Sequence, residues 1–77
     1  MIQPLTPGEK ILFACDYMNH EGIKMGKEYY KGQILKPCSD SVYMVVFDQM
    51  SFNGTDYFST GSNTTTFINV RDIVKVI

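Results

Sequence analysis

The last fourteen residues constrain the fold more than any other stretch. They read Thr-Thr-Thr-Phe-Ile-Asn-Val-Arg-Asp-Ile-Val-Lys-Val-Ile, from Thr64 to Ile77. A β-branched run suits a half-buried pleated strand. It stops at a polar step, Asn69 to Asp72, and a second short apolar run follows. Small five-stranded barrels end this way, with a strand, one tight 3₁₀-like turn and a last strand that closes the sheet. With 77 residues there is room for one domain over residues 1–77 and little core to spare for a deep cleft.

The rest of the chain fits an all-β reading. Residues 9–17 alternate, with Ile11, Phe13, Cys15 and Tyr17 on one face and Leu12, Ala14 and Asp16 on the other. Pro4, Pro7 and Gly8 before them keep the start extended or turned. A polar loop of about ten residues then includes Asn19, His20, Gly22 and Gly26. Residues 28–36 make a second strand, with Tyr30, Gly32 and Ile34 on one side and Tyr29, Lys31, Gln33 and Leu35 on the other. Gly32 inside a strand predicts a kink or bulge. Pro37 ends that run, and Ser39-Asp40-Ser41 supplies a hairpin turn.

Residues 42–48 are apolar on both faces, as a central strand should be. Residues 49–63 are rich in Ser, Asn, Gly and Thr and predict a long loop folding back on the body, with a short extra strand at 57–60 or a separate full strand as the alternative. Strands at 65–70 and 74–77 complete the set. No ten-residue segment keeps helical spacing, so antiparallel pairing in a partly open barrel is expected.

Reactive chemistry is hard to assemble from these residues. One His and two distant Cys do not make a zinc set, and no cofactor is expected. Cys15 lies on the predicted core face and Cys38 follows Pro37 in a turn, so neither is placed as a nucleophile. Asp16, Asp48, Asp56 and Asp72 suit strand ends, loops and turns better than a catalytic pair. The six glycines are scattered and form no phosphate loop. The chain therefore reads as a non-enzyme with no catalytic or metal residues.

The first seven residues lack the basic and apolar regions of a signal peptide, which predicts a cytoplasmic protein with both thiols reduced. There is no run of eighteen apolar residues and hence no expected membrane span. Asn53-Gly54-Thr55 and Asn63-Thr64-Thr65 match the glycosylation sequon, which without export only marks polar loop sequence.

Aromatic residues carry the stronger signal. Five Tyr and five Phe make 13% of the chain, enough to supply both a core and a rim. Tyr17, Tyr29, Tyr30, Phe47, Phe52, Tyr57 and Phe58 are the candidate binding residues. Placed at strand ends and in neighbouring loops, they would form a lip able to hold a peptide, a cation or a stacked base.

Several motifs resemble a family. Residues 7–14 (Pro-Gly-Glu-Lys-Ile-Leu-Phe-Ala), 29–34 (Tyr-Tyr-Lys-Gly-Gln-Ile), 43–48 (Tyr-Met-Val-Val-Phe-Asp) and 69–73 (Asn-Val-Arg-Asp-Ile) are similar, in this order, to Tudor-type barrels, a branch of the SH3-like folds. The resemblance implies a small five-stranded barrel and, in many members, an aromatic cage for methylated lysine or arginine. Position by position, Tyr30 and Phe47 would be cage walls. The other two wall positions fall on Cys15, with Tyr17 two residues late, and on Met50, so the chain departs from the pattern there.

The leading expectation is a module that docks a protein partner through the aromatic rim and the 49–63 loop, resembling small phage or bacterial proteins that modulate a host or cell enzyme. A second is nucleic-acid binding through Lys24, Lys27, Lys31 and Lys36, against which a net charge of −1 weighs. A third is a structural, self-associating subunit joined through strand edges, the oligomeric state being open.

Overall fold

The computed structural model describes residues 5–77. They form β1 (Lys10–Met18), β2 (Lys24–Pro37), β3 (Val42–Ser51), β4 (Phe58–Asn69), a 3₁₀ turn (Val70–Asp72) and β5 (Ile73–Val76). All pairings are antiparallel, in one sheet of order β4-β3-β2-β1-β5. The sheet does not close, so β4 and β5 are its two edges. The all-β, five-stranded expectation is met, as is the 3₁₀ turn before the last strand. The turn expected at Pro4 lies outside the described residues, and the one at Pro7 and Gly8 is present.

One face of the sheet gathers the core. Ile11, Phe13, Ile34, Tyr43, Val45 and Ile68 are buried and form one cluster, with Leu5, Cys15, Tyr30, Phe47, Val70 and Ile73 packed against it. Each full side-chain burial contributes on the order of 1.5–3 kcal/mol. The two-residue alternation of β1 holds for Ile11 and Phe13, with Cys15 half-buried beside them; it fails at Ala14, which is buried although it lies on the other face, and at Tyr17, which is exposed.

The irregularity expected at Gly32 is observed as a bulge, with its extra residue on the facing strand. The β2–β3 ladder slips between Lys31 and Gly32, where Gly32 faces Phe47 and Lys31 faces Gln49. Asp48 is the extra residue, so it lies within β3 rather than at its end. A second slip follows between Ile34 and Lys36, so the pairing of β2 with β3 is interrupted twice, and such bulges bend and twist the strands that carry them.

The Asn69 side chain accepts the Arg71 N–H at 3.1 Å while Asp72 accepts the Asn69 N–H at 3.3 Å. This reciprocal cap fixes the turn that sends β5 back against β1.

Most element boundaries differ from the sequence expectation, by one residue at several ends and by more in two places. The loop after β1 is only residues 19–23, because Asn19 Oδ1 accepts both Glu21 and Ile23 N–H and tightens the hairpin. The expected 49–63 loop divides: β3 continues to Ser51, residues 52–57 form the loop, and β4 starts at Phe58. The proposed extra strand is thus the first part of β4 and not a separate element. Residues 60–63 bulge from β4 opposite Asp48, since Gln49 faces Ser59 and Phe47 faces Thr64. Val70 joins the 3₁₀ turn, and the last strand begins one residue early, at Ile73.

Candidate docking surface

One cross-strand row joins the core to an exposed edge. In register, Phe13 on β1 faces Tyr30 on β2, Tyr30 faces Met50 on β3, and Met50 faces Phe58 on β4. Residues directly opposite in a sheet share a face. Exposure rises along the row, from 1% at Phe13 to 45% at Phe58. Phe52 extends it, 65% exposed, with its ring 5.7 Å from that of Phe58.

Tyr30 and Phe47 occupy strand interiors rather than strand ends. The Tyr30 ring stacks on Phe13 at 5.1 Å and meets Phe47 at 4.7 Å, and Phe13 meets Phe47 edge-on at 5.9 Å. The two residues that match cage walls therefore pack on each other instead of flanking a gap. Such a trio adds about 0.5–1.5 kcal/mol per pair beyond area burial. The Tyr30 hydroxyl donates to the Glu28 carboxylate. Burial, followed by that bond and the Glu28 charge, holds the phenol well above the usual tyrosine range.

The loop that carries Phe52 is held by side chains. Ser51, fully buried, donates to Asn53 Oδ1 at 2.8 Å and accepts the Asn53 and Gly54 N–H groups at 3.2 and 3.0 Å. Asn53 Oδ1 also accepts the Thr55 and Asp56 N–H groups, each at 2.9 Å, and Asn53 Nδ2 donates to Asp56 at 2.8 Å. Gly54 adopts φ +81°, a conformation natural to glycine, and lies against the Tyr29 ring. The phenylalanine pair therefore stands on an ordered support.

The seven candidate residues do not form one rim. Phe52 and Phe58 meet, and Tyr30 and Phe47 meet beside the core. Tyr29 and Tyr57 belong to another cluster: Gly54 sits on Tyr29, and Lys31 Nζ lies 4.5 Å from the centre of the Tyr57 ring. Burial and then the neighbouring Tyr29 push the Tyr57 phenol up. Tyr17 is exposed near the end of β1, opposite Gly26. Met50, which joins the row from Phe13 to Phe58, is not among the seven sequence candidates, because the bulge at Asp48 that decides its face does not show in the sequence.

A cavity of about 490 Å³ lies along the line where β2 and β3 slip, walled by Lys10, Lys31, Gln33, Gln49 and Asn63 among others. Of the seven aromatics only Phe47 reaches it. Its walls are mixed, with Val46, Phe47 and Ile77 among the polar groups, and the other six aromatics lie outside it, so the aromatic surface is a strip and not a concave lip.

Both cysteines are free; Cys15 is half-buried and Cys38 exposed. Burial, then the charges of Asp72, Glu28 and Asp16, push the Cys15 thiol up, the direction opposite to an activated nucleophile. Among the described residues no three His, Cys, Asp or Glu side chains converge as a metal site. No helix there is long and apolar enough to cross a membrane. The four lysines of the basic stretch spread along β2: Lys24 pairs with Asp16 at 3.4 Å, Lys27 faces Asp16 in register, Lys31 covers Tyr57, and Lys36 faces Met44.

Compared with protein-family models, curated proteins and solved structures, the chain gives no match in any of the three.

Proposed function

We propose that this chain is a non-enzymatic protein-interaction module of SH3-like, Tudor-related architecture. It docks a protein partner through Phe52 and Phe58, backed by Met50 and Tyr30. The observation that carries this reading is the exposed Phe52–Phe58 pair, in line with the core and seated on a hydrogen-bonded loop. Binding costs less when the anchor is already ordered. Aromatic anchors dominate interface energetics, and truncating a central one costs about 2 kcal/mol or more, roughly thirtyfold in affinity. Five antiparallel strands with a 3₁₀ turn before the last are what the family resemblance implies, and they support its architectural half.

The same geometry favours a protein over a nucleic acid. The lysines of β2 are distributed and partly engaged, whereas nucleic-acid affinity needs cations gathered along one track. The test is affinity capture from the native extract with the wild type and with Phe52→Ser/Phe58→Ser. A defined protein should be retained by the wild type across salt concentrations and lost by the double variant, which keeps its β-sheet circular dichroism. Equal capture by the folded double variant would remove these rings from the interface.

A further inference from the structure

The two edges of the sheet are unlike. β5 is four residues long, carries Lys75 and follows Arg71 and Asp72. β4 is twelve residues long, and from Tyr57 to Val70 the chain has no charged residue and no proline. Lysines, prolines, short length and bulges are the usual means of keeping an edge from pairing with another chain. β4 has only the bulge at 60–63, and beyond it residues 64–69 run in unbroken register against β3. Their other side pairs with no strand among the described residues. Antiparallel geometry leaves alternate backbone N–H and C=O groups of such a segment aimed at that free side.

We propose that residues 64–68 pair antiparallel with the same residues of a second copy, about a two-fold axis at Thr66, joining two sheets into one of ten strands. A second copy fits because the segment complements itself. With Thr66 opposite Thr66, each Thr65 faces the partner's Phe67 and each Thr64 faces the partner's Ile68. Phe67 is 61% exposed in the single chain, and aromatic against β-branched is a favourable cross-strand pair. No like charges meet at any position, and the net charge of −1 adds little repulsion between copies. A two-fold axis makes the contact closed, so assembly stops at the dimer. A pairing this short belongs with small, reversible interfaces. The proposal uses neither Phe52 nor Phe58 and stands apart from the docking strip.

Sedimentation equilibrium of the full chain, from micromolar to millimolar concentration, tests it together with Thr65→Lys. Thr65 is exposed, so the substitution leaves the core untouched. The wild type should approach twice the monomer mass, and Thr65→Lys should weaken association at least tenfold. In a mixed labelled and unlabelled wild-type sample, intermolecular nuclear Overhauser effects should join the Thr65 methyl to the Phe67 ring. This second readout does not depend on how the variant folds. A wild type that stays monomeric at millimolar concentration overturns the proposal, as does a dimer lacking those effects or one that folded Thr65→Lys leaves unchanged. A wild-type monomer whose β4 edge pairs only with a foreign peptide also overturns it.

Discussion

Adding one methyl group at Gly32 tests how closely β2 and β3 approach. A Cβ built there would lie 2.6 Å from the Val46 carbonyl oxygen, 3.1 Å from Phe13 Cε1 and 3.2 Å from Phe47 Cβ. Even a close carbon–oxygen contact in sheets is about 3.3 Å, so β2 and β3 must part by about 0.7 Å. The nearest obstacle is backbone, and no rotamer change relieves it. Overpacking of this kind costs about 1–3 kcal/mol. Alanine returns about 0.4–1 kcal/mol by restricting the unfolded chain. The close approach wins, and Gly32→Ala should destabilise by about 1–2 kcal/mol. For a domain of this size each 1 kcal/mol lowers Tm by about 4–8 °C. Urea unfolding followed by circular dichroism should show an earlier midpoint with an unchanged slope, and a thermal scan a fall of about 4–16 °C. A variant as stable as the wild type would refute the claim that strand approach at Gly32 excludes a side chain.

Further substitutions separate core, support and display. Phe13→Ala should cost about 3–5 kcal/mol and leave little folded protein at 37 °C, whereas Phe52→Ser should change denaturation by no more than about 0.5 kcal/mol. Asn53→Ala removes the acceptor of two loop N–H groups; partner affinity should drop while the global unfolding midpoint moves by about 1 kcal/mol. The Tyr30 phenol keeps its proton in the folded chain after the unfolded chain, with the ordinary value of 10.0, has lost its own. Its contribution is therefore complete below pH 10 and declines as pH rises beyond it, and Tyr30→Phe should flatten that decline in denaturation curves. Asn69→Ala should cost about 1 kcal/mol by opening the cap before β5, read by faster amide exchange at Ile73 to Val76.

The elements were legible where one face is buried and the period is clean. Ile11 and Phe13 alternate over a single core, and Gly32 announces its bulge because nothing larger fits there. The polar step at Asn69 to Asp72 spells out its own cap. Residues 49–63 were not legible, because an uncharged Ser, Thr and Asn sequence suits an edge strand as well as a loop. What separates the two is pairing with Gln49 and Met50, a contact distant in sequence. The candidate site was half visible for the same reason. Aromatic content marks ten residues, but the bulge at Asp48 decides which face Met50 shares, and the Ser51–Asn53 network decides that Phe52 is displayed while Tyr57 turns toward Lys31.

If Phe58 anchors a partner as proposed, the row from Phe13 to Phe58 would tie recognition to folding. A ligand on Phe58 would then bind only the folded sheet, so occupancy should raise thermal resistance in proportion to the logarithm of ligand concentration. Substitutions that loosen Tyr30 or Met50 would then weaken grip and durability together. Under that reading, tighter binding gained through this row would also reset how long the fold survives heat.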